Sequence, residues 1–368
     1  MICRRIEVKD FRNIETADVS FEPGVNVVVG DNAQGKTNLI EAIYMTALGK
    51  SFRPVKEAET VRFDQPMAHI VNHFSDSLRE QTVSMKLFAG KTRRIIEQNG
   101  NRVSRMSDMV GAFRVVLFCP EHLSLVQGAP ELRRNFLNVA LSQLRPVYLR
   151  SLQRYGQILK ERNSLLKKAP DDMKTFHATI DFWSSQLAHE AAILSAHRDR
   201  YVKQADEYVK RCFATMSGER EIPELSYLSS SGRDSFDDVA EVESCYMDLL
   251  SRHHDREIGA GCTLWGVHKD DIRIHLNGRP ARLYASQGQQ RSITLAMKLS
   301  EGEISAYESG GDRPVFLFDD VLSELDAHRR AYLMGELTGR QVIMTTCDHI
   351  TEQDGFHMIK VKDGTYEV

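Results

Sequence analysis

Between Gly30 and Thr37 the chain reads Gly-Asp-Asn-Ala-Gln-Gly-Lys-Thr, which fits the pattern G-x-x-x-x-G-K-[ST]. A nearly continuous apolar run, Val25 to Val29, precedes it. Leu39, Ile40, Ile43, Tyr44 and Leu48 then fall on one side of a helix opening at Lys36. In a strand, glycine turn and helix of this kind, backbone N–H groups converge on phosphate oxygens and the helix N-terminus adds partial positive charge. Gly30, Asp31, Asn32, Ala33, Gln34 and Gly35 would form the cradle. Lys36 would reach the β- and γ-phosphates of ATP, and Thr37 would ligate Mg²⁺. Such a loop needs a carboxylate at the end of a neighbouring strand, and Val315-Phe316-Leu317-Phe318-Asp319-Asp320 supplies two. Asp319 would hold Mg²⁺, directly or through water. Asp320 would orient or deprotonate the attacking water, so Lys36 and Asp320 are the catalytic candidates. Standing alone, the first motif would read as a glycine-rich turn and the second as a helix cap.

These two motifs lie near opposite ends of the chain, yet both must touch one Mg-ATP. The terminal segments should therefore fold together as one α/β head, residues 1–128 and 241–368, around a helical insertion at 129–240. Within the insertion Tyr148, Leu152, Tyr155, Leu159 and Leu166 form one helical stripe. Ile180, Trp183, Leu187, Ala191 and Leu194 form a second. Their spacing predicts an antiparallel pair joined at Ala169-Pro170-Asp171-Asp172. A projecting arm and a packed subdomain both fit it. The Ser/Gly/Asp-rich stretch 217–240 reads as a returning loop, with β signals resuming after it. Asn99-Gly100, Asn277-Gly278 and Asp363-Gly364 are hairpin turn signals.

A second phosphate receptor is written into Ser286-Gln287-Gly288-Gln289-Gln290, where a serine and a glycine open another helix. The segment resembles the ABC signature, usually L-S-G-G-Q, and precedes Asp319 by the expected interval. Ser323-Glu324-Leu325-Asp326, directly after the carboxylates, resembles the D-loop; alone it would be a helix start capped by Ser323. The resemblance implies that Ser286, Gly288 and Gln289 of one copy face the γ-phosphate held by another. Asp326 would then lie beside the nucleotides at the seam of an ATP-state homodimer.

Further segments are similar to the RecF family, in the SMC/RecF group of ABC ATPases, over essentially the whole chain. They include Phe11-Arg12-Asn13-Ile14, Asn32 to Tyr44 (which adds Asn38 to the nucleotide residues), Lys50-Ser51-Phe52-Arg53, Phe118 to Leu123, Gly128 to Leu137, Gly266-Val267-His268-Lys269-Asp270-Asp271, and Leu322 to Asp326. The chain departs from the family pattern at His122, Asn138 and Lys269. Asp320 stands where other ABC ATPases commonly carry glutamate, which suggests slow hydrolysis. Thr345-Thr346-Cys347 occupies the region of the usual switch histidine, and His349 reads as a surface residue. What the resemblance implies is ATP-dependent binding of double-stranded and gapped DNA in recombinational gap repair and replication restart. Partnership with RecR and RecO would help load the recombinase.

Net charge is −3, so any DNA contact must be a local basic patch rather than bulk attraction. Candidates are Lys91, Arg93 and Arg94 before a hairpin, Arg133 and Arg134, and Arg150, Arg154, Lys160, Arg162, Lys167 and Lys168 along the first long helix. A merely solvated face is the competing reading. Six cysteines without C-x-x-C or metal spacing suit reduced thiols in a cytoplasmic protein. No apolar run approaches membrane-spanning length, so no membrane contact is expected. Two rival functions remain: an ABC-type DNA-processing nuclease, which would need a further carboxylate-rich metal domain, and the ATPase subunit of another machine.

Overall fold

The computed structural model describes residues 1–90, 92–217, 221–346 and 356–367. Lys91, Cys347 and His349 lie outside these. The strands of the first part are β1 (Ile2–Phe11), β2 (Ile14–Ser20), β3 (Val25–Val29), β4 (Met67–Ser75), β5 (Glu80–Phe88), β6 (Ile95–Gln98), β7 (Asn101–Arg102) and β8 (Val115–Phe118). Later come β9 (Pro223–Leu228), β10 (Asp271–Leu276), β11 (Arg279–Pro280), β12 (Val315–Asp319), β13 (Val342–Thr346), β14 (His357–Lys362) and β15 (Thr365–Glu367). The helices are α1 (Lys36–Leu48), α2 (Met106–Met109), α3 (Pro130–Leu144), α4 (Pro146–Lys168) and α5 (Met173–Ser217). They continue with α6 (Val239–Arg252), α7 (His254–Ala260), α8 (Ala281–Tyr284), α9 (Gln287–Glu308) and α10 (Ala327–Glu336).

The chain divides into two compact units, one of residues 1–124 and 294–368 and one of residues 125–293. In the first unit β15-β14-β3-β13-β12-β8 form a sheet that is parallel except for β15 at its edge. Its central strands are buried on both faces, which is why they read as nearly continuous apolar runs. Asn26 interrupts one run with its polar atoms satisfied. Its amide accepts from Glu22 N–H and donates to the Glu22 and Gly24 carbonyls. The second sheet, β2-β1-β4-β5-β6-β7, is antiparallel at every pairing. Gln341, ahead of β13, ties the two sheets: it accepts from Cys3 N–H at 2.7 Å and donates to Cys3 and Glu22 carbonyls at 2.8 Å. The terminal segments thus build one α/β body, as the positions of the two motifs require. All three turn signals hold, with φ of +51° and +77° at Asn99-Gly100, +51° and +72° at Asn277-Gly278, and +49° and +77° at Asp363-Gly364.

In the second unit α4 and α5 form the expected antiparallel pair, and the unit extends further than the sequence indicates. Its second boundary falls at 293, inside α9, rather than at 240. The reason is pairing that no local pattern reveals. Residues 223–228, expected within a loop, form β9 and join β10 in register from Pro223↔Leu276 to Leu228↔Asp271. Residues 239–260, ahead of the expected strand at 272–276 that forms β10, are helices α6 and α7. The tip of the α4–α5 pair is not bare: Ile258 of α7 packs on the buried cluster of Leu166, Ala169, Phe176 and Ile180.

Much of this unit's core is polar and satisfied. Arg198 donates to Tyr148, Asn138 and the Val267 carbonyl, and Asp270 accepts from the Ser230 amide and Tyr227. Asp271 takes a two-pronged pair from Arg133 at 2.7 and 2.9 Å. His268 donates from Nε2 to the Thr263 carbonyl and receives the Tyr155 hydroxyl on Nδ1, and burial holds its pKa down to about 4. Of the Gly266–Asp271 motif, Lys269 is the charged side chain exposed to solvent.

Arg162, expected on a basic outer face, is fully buried and bridges Glu257 at 2.6 Å, Thr263 at 2.8 Å and Ser184 at 3.1 Å. Substitution Arg162→Met would leave Glu257 charged and buried without its partner. A loss of about 3–5 kcal/mol is expected, read as a markedly lower melting temperature. An unchanged melt would contradict the inward assignment.

Candidate nucleotide site

The glycine loop is clasped from both ends of the chain. A Cβ at Gly30 would collide with the Val361 carbonyl of β14, so only glycine fits there. Gly35 has φ +115°, and a Cβ on it would meet Asn13 and the Tyr366 hydroxyl. Tyr366 donates to the Gly35 carbonyl at 3.0 Å, and the β14–β15 turn donates backbone N–H groups to Gln34. Lys36 curls back over the loop, its Nζ donating to the Gly30 carbonyl at 2.5 Å and that of Asp31 at 2.9 Å. The first turn of α1 carries no side-chain cap and no acidic residue, so its N-terminal N–H groups face the loop uncapped.

Parallel register places the carboxylates beside the loop. Asp319 pairs with Thr345, one strand away, and Thr346 pairs with Val29, just before the loop. Thr37 Oγ1 therefore reaches Asp319 Oδ1 at 2.8 Å, and Thr345 Oγ1 donates to the same oxygen at 3.0 Å. Burial pushes the Asp319 carboxyl above its usual range, while the two hydroxyls and the charge of Arg53 pull it back. A hydroxyl and a carboxylate at this spacing are hard oxygen donors suited to Mg²⁺, which takes few protein ligands and completes its shell with phosphate and water. Among the described residues there is no cluster of three or more His, Cys, Asp or Glu that could hold a metal without such help.

Asp320 ends the strand in the left-handed region, with φ +52°. Two contacts fix it there: its N–H donates to Thr345 Oγ1 at 3.0 Å, and its carbonyl accepts from Ser323 Oγ at 2.9 Å. Thr345 thus bridges both carboxylate residues. In sequence it stood out only within Thr345-Thr346-Cys347, in the region of the usual switch histidine, with no role of its own. The helix after this segment is capped by Asp326 rather than Ser323. Asp326 accepts from Arg329 N–H at 2.9 Å, and that amide holds its carboxyl below the usual range.

The sequence also missed a buried charged hub. Glu41, on α1, is wholly buried. It accepts from Arg12 at 2.6 and 3.0 Å, Ser51 at 2.6 Å and Arg53 at 3.3 Å. Arg53 also donates to Asn38 at 3.0 Å, Asn38 to Asn13 at 2.7 Å, and Asn13 to the Ala33 carbonyl at 3.2 Å. The signal was present in Phe11-Arg12-Asn13-Ile14 and Ser51-Phe52-Arg53, which carried a resemblance but no chemistry. A cavity of about 1040 Å³ beside the loop is lined by Arg12, Asn13, Asn38, Arg53 and the exposed Phe63.

In the second unit Ser286 opens α9 through a reciprocal capping box. Ser286 Oγ accepts from Gln289 N–H at 3.3 Å, and Gln289 Oε1 accepts from Ser286 N–H at 2.6 Å. Gln289 Nε2 donates to Glu221, and Ser286 is exposed while Gly288 is partly covered. The basic candidates divide. Arg133, Arg134 and Arg162 are held internally, Arg134 by the Asp270 carbonyl at 2.9 Å, whereas Arg150, Lys160, Lys167 and Lys168 are exposed. Cys3, Cys119, Cys212, Cys245 and Cys262 form no disulfide, and no helix of the described residues is long and apolar enough to cross a membrane.

The family model described as RecF/RecN/SMC N terminal domain matches residues 2–366. The DNA replication and repair protein RecF of Shouchella clausii is 37% identical over 94% of this chain and 92% of its own. That of Bacillus subtilis is 35% identical over 99% of each. The solved structure of the recombination mediator protein RecF-ATPrS in the RecFOR pathway superposes with a TM-score of 0.93 at 30% identity, covering 100% of this chain and 97% of that one. Its RecF-ATP counterpart gives 0.91 at 30%, over 99% and 96%. An Smc head bound to the C-winged helix domain of ScpA gives 0.56 at 14% identity, a likeness of fold alone. With the loop, the carboxylate strand and the capped signature helix in these positions, the chain belongs to the RecF family of SMC-type ABC ATPases.

Proposed function

We propose that this chain is an ATP-gated DNA-binding ATPase of recombinational gap repair and replication restart. The observation that carries the reading is the meeting of Thr37 and Asp319 at 2.8 Å beside an uncapped helix N-terminus. That arrangement suits the phosphates and metal of Mg-ATP. The relatives named as DNA replication and repair proteins, and the neighbours named with ATP, support it.

ATP is bound by Gly30–Asn38, with Lys36 swinging from its two carbonyls to the β- and γ-phosphates. Thr37 and Asp319 would hold Mg²⁺, which would supply charge neutralisation for phosphoryl transfer. Asp320, fixed by Thr345 and Ser323, orients the attacking water. Its carboxylate is one methylene shorter than glutamate, so turnover is slow. Ser286, Gly288 and Gln289 of a second copy complete the site around the γ-phosphate, with Asp326 nearby. Only the closed dimer offers both receptors, so ATP favours closure, and DNA that prefers the closed form promotes it in return. Hydrolysis removes the bridge and releases the clamp. RecR, with RecO, is the partner set proposed from the pathway in which the solved relative is described. The compartment is the cytoplasm.

Fluorescence anisotropy of a labelled gapped duplex, titrated in ATP, in ADP and without nucleotide, tests the reading. Tight binding in ATP alone is expected, weakened at least about tenfold by Lys36→Met or Ser286→Arg. Equal binding in all three conditions would overturn ATP gating. A second expectation concerns Asp319→Asn, which keeps the shape of the side chain and removes its charge. ATPase activity should then require far more Mg²⁺, and an unchanged Mg²⁺ dependence would remove Asp319 from the metal site.

A further inference from the structure

Two basic segments are candidates for DNA, and they differ in how far their charges are already engaged. Along 133–168 the arginines are mostly occupied: Arg133 with Asp271, Arg134 with the Asp270 carbonyl, Arg162 with Glu257, and Arg154 3.6 Å from Glu190. Arg150 and the lysines that remain outward on α4 share their surface with the exposed Glu161.

The other segment has the opposite character. The stretch before β6 and the residues after β7 enclose a cavity of about 380 Å³, lined by Arg93, Arg94, Ser104 and Arg105 over a floor that includes Ile96 and Met106. Glu57 is the carboxylate among its described lining residues, and Arg94 uses it. Arg94 Nη1 donates to Glu57 at 2.5 Å and to the Gly49 carbonyl at 2.5 Å. Arg93 and Arg105 are exposed, and their guanidinium groups make no ion pair or hydrogen bond among the described residues. The site therefore has one tethered arginine and two unneutralised ones, with Ser104 also in its lining. A guanidinium fork matches a pair of phosphate oxygens. No aromatic ring among the described lining residues offers a base a stacking surface, so the chemistry suits a backbone and not a free nucleotide.

We propose that this cavity grips a backbone phosphodiester of duplex DNA, with Arg93 and Arg105 as its contacts. The proposal rests on the reading of the chain as a DNA-binding protein and names the surface that does it.

The test measures duplex affinity in ATP across a salt series for the wild type, for Arg93→Glu/Arg105→Glu, and for Lys160→Glu/Lys167→Glu on α4. Each phosphate that is no longer neutralised should lower the slope of log K against log salt by about 0.9. The first pair should therefore flatten the slope by about 0.9 and weaken binding at least about tenfold at moderate salt. Its melting temperature should stay near wild type, because both side chains are exposed. The α4 pair should leave the slope unchanged. An unchanged slope in the first pair, or a loss confined to the α4 pair, would overturn the assignment. If the wild type binds duplex in no nucleotide state, the DNA reading falls and the cavity's role with it, an outcome separate from a wild type that binds and a variant that binds equally well.

Discussion

The hydrogen bond from Thr37 to Asp319 joins residues 282 apart in the chain, and the rest of the first unit is arranged so that it can form. It depends on parallel register across three strands. β3 delivers the glycine loop, β12 delivers the carboxylate, and β13 between them supplies Thr345, which donates to the same Asp319 oxygen. A slip of one residue in either pairing would turn the side chains to opposite faces and separate the hydroxyl from the carboxylate. Burial of all three strands makes such a slip costly.

Around that bond the molecule is held rigid. The C-terminal hairpin grips the loop from one side through Tyr366, and Asn13 grips it from the other through the Ala33 carbonyl. The Asn13–Asn38–Arg53–Glu41 chain then carries the restraint into α1 and out to Arg12. A carboxylate as buried as that of Glu41 is tolerable because two guanidinium groups and a hydroxyl satisfy it. The arrangement fixes the positions of charged arginines beside the glycine loop. It belongs to the logic of a preorganised site, in which donors are placed before the ligand arrives.

The features most legible in the sequence are those that chemistry forces into a fixed local spacing. The glycine loop, the paired carboxylates after an apolar strand and the three positive-φ turns each announce themselves within a few residues. The α4–α5 pair is legible because its stripes are long. What escaped depends on partners distant in sequence. Thr345 is one hydroxyl after an apolar strand, and its value comes only from the register beside Asp319. Glu41 looks like an ordinary polar position of α1 until Arg12 and Arg53 fold against it. Arg162 sits among lysines and arginines, and only Glu257, 95 residues on, pulls it inward. β9 was hidden in a polar stretch because β10, its partner, lies far downstream, so the boundary of the second unit could not be read from composition.

The central claim is that one ATP is shared between the glycine loop of one copy and the signature helix of another. Mixing Lys36→Met with Ser286→Arg protein tests it most directly, by ATPase rate and by sedimentation in ATP. Each variant alone should be inactive and monomeric. In a mixed pair, the intact loop of the Ser286→Arg copy meets the intact signature of the Lys36→Met copy, so one complete site returns. Recovered dimer and a measurable fraction of wild-type turnover are predicted for the mixture. A mixture as inactive and monomeric as its components would contradict sharing across copies.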